Sequence, residues 1–110
     1  MMKLAISPAA AGLLRALISR TGVDRDRILL TDFRSVDWQS LTFFGERLEM
    51  ELRISGRDAR AVALRLTDGL ADAEFSIPGQ TVADIGLKQP LSHGGDGSVT
   101  IHLEALMIAE

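Results

Sequence analysis

Between Arg47 and Ile54 the chain alternates without a break: Leu48, Met50, Leu52 and Ile54 are apolar, while Arg47, Glu49, Glu51 and Arg53 are charged. Successive side chains of a strand point to opposite faces, so this segment reads as a strand with one face in a core and the other in water. Such a strand needs apolar cover on one side only. Two stretches with helical spacing can supply it. In the first, Ser7 is placed to cap a helix and Pro8 takes the first helical position, where its missing N–H costs nothing. Ala10, Leu13, Leu14, Leu17 and Ile18 form one stripe, Arg15 and Ser19 face away, and Gly22 supplies the stop. In the second, Ser55 with Asp58 three residues on resembles a capping box with the shorter acid. Ala59, Val62, Ala63, Leu66 and Leu70 form its stripe, Arg57, Arg60 and Arg65 lie opposite, and Gly69 ends it. Leu64 breaks the pattern by falling on the charged side.

The remaining segments read as strands and turns. Ile28, Leu29, Leu30, Thr31 and Phe33 form a β-prone run, followed by the polar patch Arg34-Ser35-Val36-Asp37 and a second run from Trp38 to Phe44. Before Gly45 the apolar positions are odd-numbered (Leu41, Phe43), and after it they are even. That change of parity marks a turn or a bulge near Phe44–Glu46, and a hairpin turning there is the preferred reading. Ile77-Pro78-Gly79 is a further turn. Val82 to Leu87 is one arm of a second hairpin, and Val99, Ile101 and Leu103 begin the other, with Thr100, His102 and Glu104 outward. The expected fold is α+β, a single domain over residues 1–110 in the order α-β-β-α-β-β, with two helices packed on one face of a four-stranded, mainly antiparallel sheet. Strand order is not readable from the pattern, nor is whether Met1 to Ser7 adds a strand.

Composition narrows the classes of function. With 46% hydrophobic and 25% charged residues in 110, the chain has the balance of an ordinary globular domain. It contains no cysteine, which excludes disulfides, thiolate metal sites and cysteine nucleophiles. Arg15 interrupts the longest apolar run near the start, so neither a signal peptide nor a membrane span is expected, and the cytoplasm is the default location. A net charge of −3 argues against a general nucleic-acid binder.

The densest group of functional side chains is Arg34-Ser35-Val36-Asp37-Trp38-Gln39-Ser40, which holds the single tryptophan. Arginine forks onto carboxylates or phosphates and tryptophan offers a stacking face, so Arg34, Asp37 and Trp38 are candidates to hold an anionic or aromatic ligand. The competing reading packs Trp38 at the sheet edge and pairs Arg34 with Asp37 across a bulge. Ser92-His93-Gly94-Gly95-Asp96-Gly97 lacks the Lys-Ser/Thr of a phosphate loop, and His93 with Asp96 makes only two metal ligands. It reads as a hairpin loop. No nucleophile elbow or triad can be assembled, and Glu49 and Glu51 are the solvated side of their strand. His102 has Glu104, a neighbouring strand or a partner as candidate contacts. No cofactor or metal is therefore expected, and the chain leans away from enzymatic activity.

Surplus apolar positions point to association instead. Phe43 and Phe44 are adjacent, so one of them faces away from the core, and Leu64 lies among arginines. A sheet covered on one face leaves the other open. If that face carries Trp38, one of the two phenylalanines and part of Leu106 or Ile108, it forms an association surface. The leading expectation is a non-enzymatic interaction or self-associating domain, associating through the open sheet face or a sheet edge, with Phe43, Phe44 and Leu64 as interface candidates. The alternative is a small-ligand domain using Arg34, Asp37 and Trp38.

The stretch Arg34-Ser-Val-Asp-Trp-Gln-Ser-Leu-Thr-Phe43, with Gly45-Glu46-Arg47 and Val82-Ala83-Asp84-Ile85, resembles a family of small uncharacterised bacterial α+β proteins. The resemblance implies a similar compact fold and carries over no activity and no site residues.

Overall fold

The computed structural model describes residues 5–110. The elements run α1 (Pro8–Ser19), β1 (Ile28–Gln39), β2 (Phe44–Ile54), α2 (Ala59–Thr67), β3 (Gln80–Leu87), β4 (Ser92–His93) and β5 (Val99–Ala109). The class is α+β, with two helices and one antiparallel sheet. The sheet has five strands rather than the expected four, in the order β1-β2-β5-β3, with β4 also on β5. Val99 and Thr100 pair with β2 on one side and with His93 and Ser92 on the other, so β4 continues the edge occupied by β3. The break between them runs through Pro90, which has no N–H to give a ladder.

The first helix starts as its sequence predicts: Ser7 Oγ accepts the Ala10 N–H at 3.1 Å, and Pro8 opens the helix. The second starts later. Its N-cap is Asp58, whose side chain makes no capping bond, so the Ser55–Asp58 capping box is not formed. Asp58 is drawn instead to Arg27, which also donates to the Ser55 carbonyl. A nine-residue helix without a side-chain cap is marginal in water and depends on tertiary packing. Ala59, Val62, Ala63 and Leu66 provide that packing, and Leu70 just beyond the helix is buried with them.

The hairpin also turns earlier than predicted, at Ser40–Phe43, and Phe44, Gly45 and Glu46 already belong to β2. Ser40 closes the turn by donating its N–H to the Phe43 carbonyl at 2.9 Å and accepting the Phe43 N–H on Oγ at 3.1 Å. Gly45 suggests a turn in sequence, but its role is close approach. A Cβ there would stand 2.0 Å from the Met107 carbonyl oxygen on β5.

Registers put the core on one face. Leu48 lies opposite Ala105, Met50 opposite Leu103, Leu52 opposite Ile101 and Ile54 opposite Val99, and all eight are buried under the helices. Bulges at Thr31 in β1 and Ala83 in β3 each insert one unpaired residue and reset the alternation. Among the described residues no helix is long and apolar enough to cross a membrane.

The Gly45 contact is with backbone, which cannot swing aside as a side chain can. Gly45→Ala is expected to lower the unfolding free energy by about 1–3 kcal/mol in denaturant titration. Gly86→Ala, with nothing within 4 Å of its Cβ position, is expected to change it far less.

Candidate functional site

The face of the sheet turned away from the helices is the candidate site. Its rows follow from the strand registers. Trp38, Gly45 and Ile108 stand side by side, as do Val36, Arg47 and Leu106, then Arg34, Glu49 and Glu104, then Asp32, Glu51 and His102. One half of the face therefore carries Val36, Trp38, Leu106 and Ile108 around Arg47, and the other half is ionic throughout.

The ionic half forms a shallow cleft of about 210 Å³ lined by Asp32, Arg34, Glu49, Glu51, Lys88 and His102, among others. Its charges answer one another across strands. The Lys88 ammonium bonds to Glu49. That hydrogen bond, with the charges of Lys88 and Arg34, holds the Glu49 carboxyl below its ordinary range against some desolvation. Arg34 Nε lies 3.8 Å from Asp32 Oδ2. His102 Nε2 lies 3.9 Å from Glu51 Oε1, is sealed from solvent and has no hydrogen-bond partner among the described residues. His102 thus meets the neighbouring strand, not Glu104. Among the described residues no three of His, Asp and Glu are grouped to hold a metal ion.

Strand alternation separates the residues proposed to hold a ligand. Arg34 lines the cleft and Trp38 stands on the same face two rows away. Asp37 lies opposite Glu46 on the helix-side face, so the Arg34–Asp37 pair does not form. It borders a depression with Phe44, Glu46 and Pro8, at the start of α1. There Glu46 accepts from the hydroxyls of Ser7 and Ser35, and its negative charge sits at a helix N-terminus, where it is favoured.

The proposed interface residues are equally dispersed. Phe43 and Phe44 are 53% and 64% exposed at the hairpin end of the sheet. Leu64 is 47% exposed on α2, which follows the far end of β2. The phenylalanines thus belong to the hairpin end of the sheet and Leu64 to the outer side of a helix packed on it. The sequence pattern overlooked Val36, 64% exposed beside Trp38, because it sits within a polar run. The Glu49–Lys88 and Glu51–His102 contacts depend on the registers of three strands, and no local pattern carries them.

The glycine loop is occupied with its own structure. Asp96 accepts from the Ser98 N–H at 3.0 Å and the Ser98 hydroxyl at 2.6 Å, and from Arg53 at 2.5 Å. Arg60 donates to His93 Nε2 at 2.9 Å. The bonds from Ser98, then the Arg53 charge, pull the Asp96 carboxyl from 3.8 down to about 2. A carboxyl depressed on folding contributes stability above its unfolded pKa and loses it as pH falls through the folded value. Asp96→Asn is therefore expected to lower the melting temperature at neutral pH, with the gap to the parent protein closing between about pH 4 and pH 2. A gap that persists unchanged at pH 2 would show that the carboxylate charge is not what holds the loop.

No family model matches the chain and no curated protein matches it, so its functional reading rests on its own residues.

Proposed function

We propose that this chain is a non-enzymatic interaction domain that associates with a second copy of itself through its sheet, by the uncovered face or by an edge. The observation that carries the reading is the apolar group on that face, where exposed Val36 and half-buried Trp38, Leu106 and Ile108 surround the single charged residue Arg47 with no described element over them. Water-exposed apolar area of this kind gains roughly 25 cal/mol per Å² when covered. A sheet faced by helices on one side only leaves this area for a partner rather than for the chain's own core.

Light scattering over a hundredfold range of concentration tests the reading. The mass is expected to rise above 11.9 kDa toward twice that value as concentration increases. Val36→Asp is expected to hold the protein at the monomer mass while leaving its circular dichroism unchanged. A parent protein that stays monomeric throughout refutes self-association.

A second reading draws on the ionic cleft, where Arg34 and Lys88 bring two cations to a small hollow in which Asp32 and Glu49 already pair with them. It makes the domain a binder of a small anionic molecule. The cleft, at about 210 Å³, is smaller than the usual 300–1,000 Å³ of ligand pockets, which places this reading second. Thermal-shift screening against small carboxylates and phosphates tests it. An Arg34→Ala variant that keeps the full shift would end it.

A further inference from the structure

Taking self-association as its premise, we infer that two copies join edge to edge through β1, antiparallel about a two-fold axis at Val36, into one continuous sheet. The two edges of the sheet differ. The β3/β4 edge is broken by the bulge at Ala83 and the interruption at Pro90. Beyond its bulge at Thr31, β1 runs regularly from Asp32 to Gln39, and among the described residues it has a partner on one side only. Arg34, Ser35, Val36 and Asp37 are all exposed, so no helix among the described residues overhangs this edge.

The direction of the backbone groups is set by the turn. Ser40 donates to Phe43 across it, and antiparallel pairs alternate between bonded and non-bonded. Trp38, Val36 and Arg34 therefore spend their amides on β2, and Phe33, Ser35, Asp37 and Gln39 aim theirs outward. A second β1 can meet these groups with about eight backbone hydrogen bonds.

Side chains choose among the allowed registers. An axis at Asp37 sets that carboxylate against its own copy, and one at Arg34 does the same with two guanidinium groups, both unfavourable. An axis at Ser35 puts Asp32 against Trp38 and Asp37 against Phe33. An axis at Phe33 pairs Asp32 with Arg34 but runs into the bulge at Thr31. With the axis at Val36, the valines meet each other and Arg34 of each copy lies against Trp38 of the other, twice. Both are non-bonded pairs, the kind that bring side chains closest, and arginine over tryptophan is an attractive cation–π contact. This register uses the whole regular run and opposes no like charges. The charges on β1 then act as a register lock rather than as a barrier to pairing.

The absence of cysteine makes the arrangement directly testable. In a non-bonded antiparallel pair the two Cα atoms lie about 4.5 Å apart, within disulfide reach. Val36→Cys is expected to form covalent dimers under mild oxidation about tenfold or more faster than Leu87→Cys on the opposite edge. Ser35→Pro removes an outward N–H together with the hydroxyl that bonds Glu46. It is expected to abolish that cross-linking in a Val36→Cys background while circular dichroism stays native, whereas Ser35→Ala, which removes the hydroxyl alone, is expected to keep the cross-linking. Arg34→Glu, which leaves the backbone intact, is expected to slow it as well. If the parent protein is dimeric by light scattering but Val36→Cys cross-links no faster than Leu87→Cys, the edge arrangement is overturned and association through the sheet face stands. A monomer mass at every concentration, with no preferential cross-link, overturns both.

Discussion

The pairing of β2 with β5 at the centre of the sheet is the interaction from which the other contacts take their positions. Its four apolar pairs, from Leu48 with Ala105 to Ile54 with Val99, build a continuous apolar floor that only one face of the sheet carries. Both helices lie over that floor, Leu13 and Leu17 from α1 and Val62 and Leu66 from α2 being fully buried there. Neither helix is long enough to persist in water without it. Glycine at position 45 lets the β5 backbone come close at the end of this pairing, which side-chain bulk would prevent.

The same alternation determines the opposite face. Glu49 stands directly across from Glu104 and beside Glu51, an arrangement of like charge that costs stability on its own. Lys88 from the β3 side and Arg34 from the β1 side converge on Glu49 and offset that cost. The ionic half of the face is thereby largely satisfied within the chain. The apolar half, with Trp38 beside the bare Gly45 and next to Ile108, has no comparable internal partner among the described residues. This contrast is why the apolar half carries the functional reading.

Arginines account for much of the remaining organisation. Arg27 ties the start of β1 to Ser55 and Asp58, Arg53 holds Asp96, and Arg60 meets His93. Arg65 donates to the Thr21 carbonyl and Arg20 to the Asp68 carbonyl, joining the C-terminal ends of the two helices. Exposed pairs of this sort add little stability individually, and their effect is to place loops. Of the cations in the N-terminal third, Arg20 and Arg27 are thus engaged within the fold.

Periodicity made several parts of the architecture legible in the sequence. The alternation of residues 47–54, the stripes of the two helices, the Ser7–Pro8 start and the outward phase of His102 are local patterns, and local patterns report which face a residue takes. Residues that serve a distant element were not legible. Gly45 looked like a turn because its crowding comes from Met107, and Asp58 looked like part of a capping box because its partner Arg27 lies far back in the chain. Arg34, Asp37 and Trp38 are neighbours in sequence, yet the strand sends Asp37 to the opposite face. Which faces are apolar was decided by the sequence alone, because side-chain direction follows from backbone period. Which side chains meet was decided by the tertiary structure, because strand order, register and the bulges at Thr31 and Ala83 arise from contacts between segments far apart in the chain.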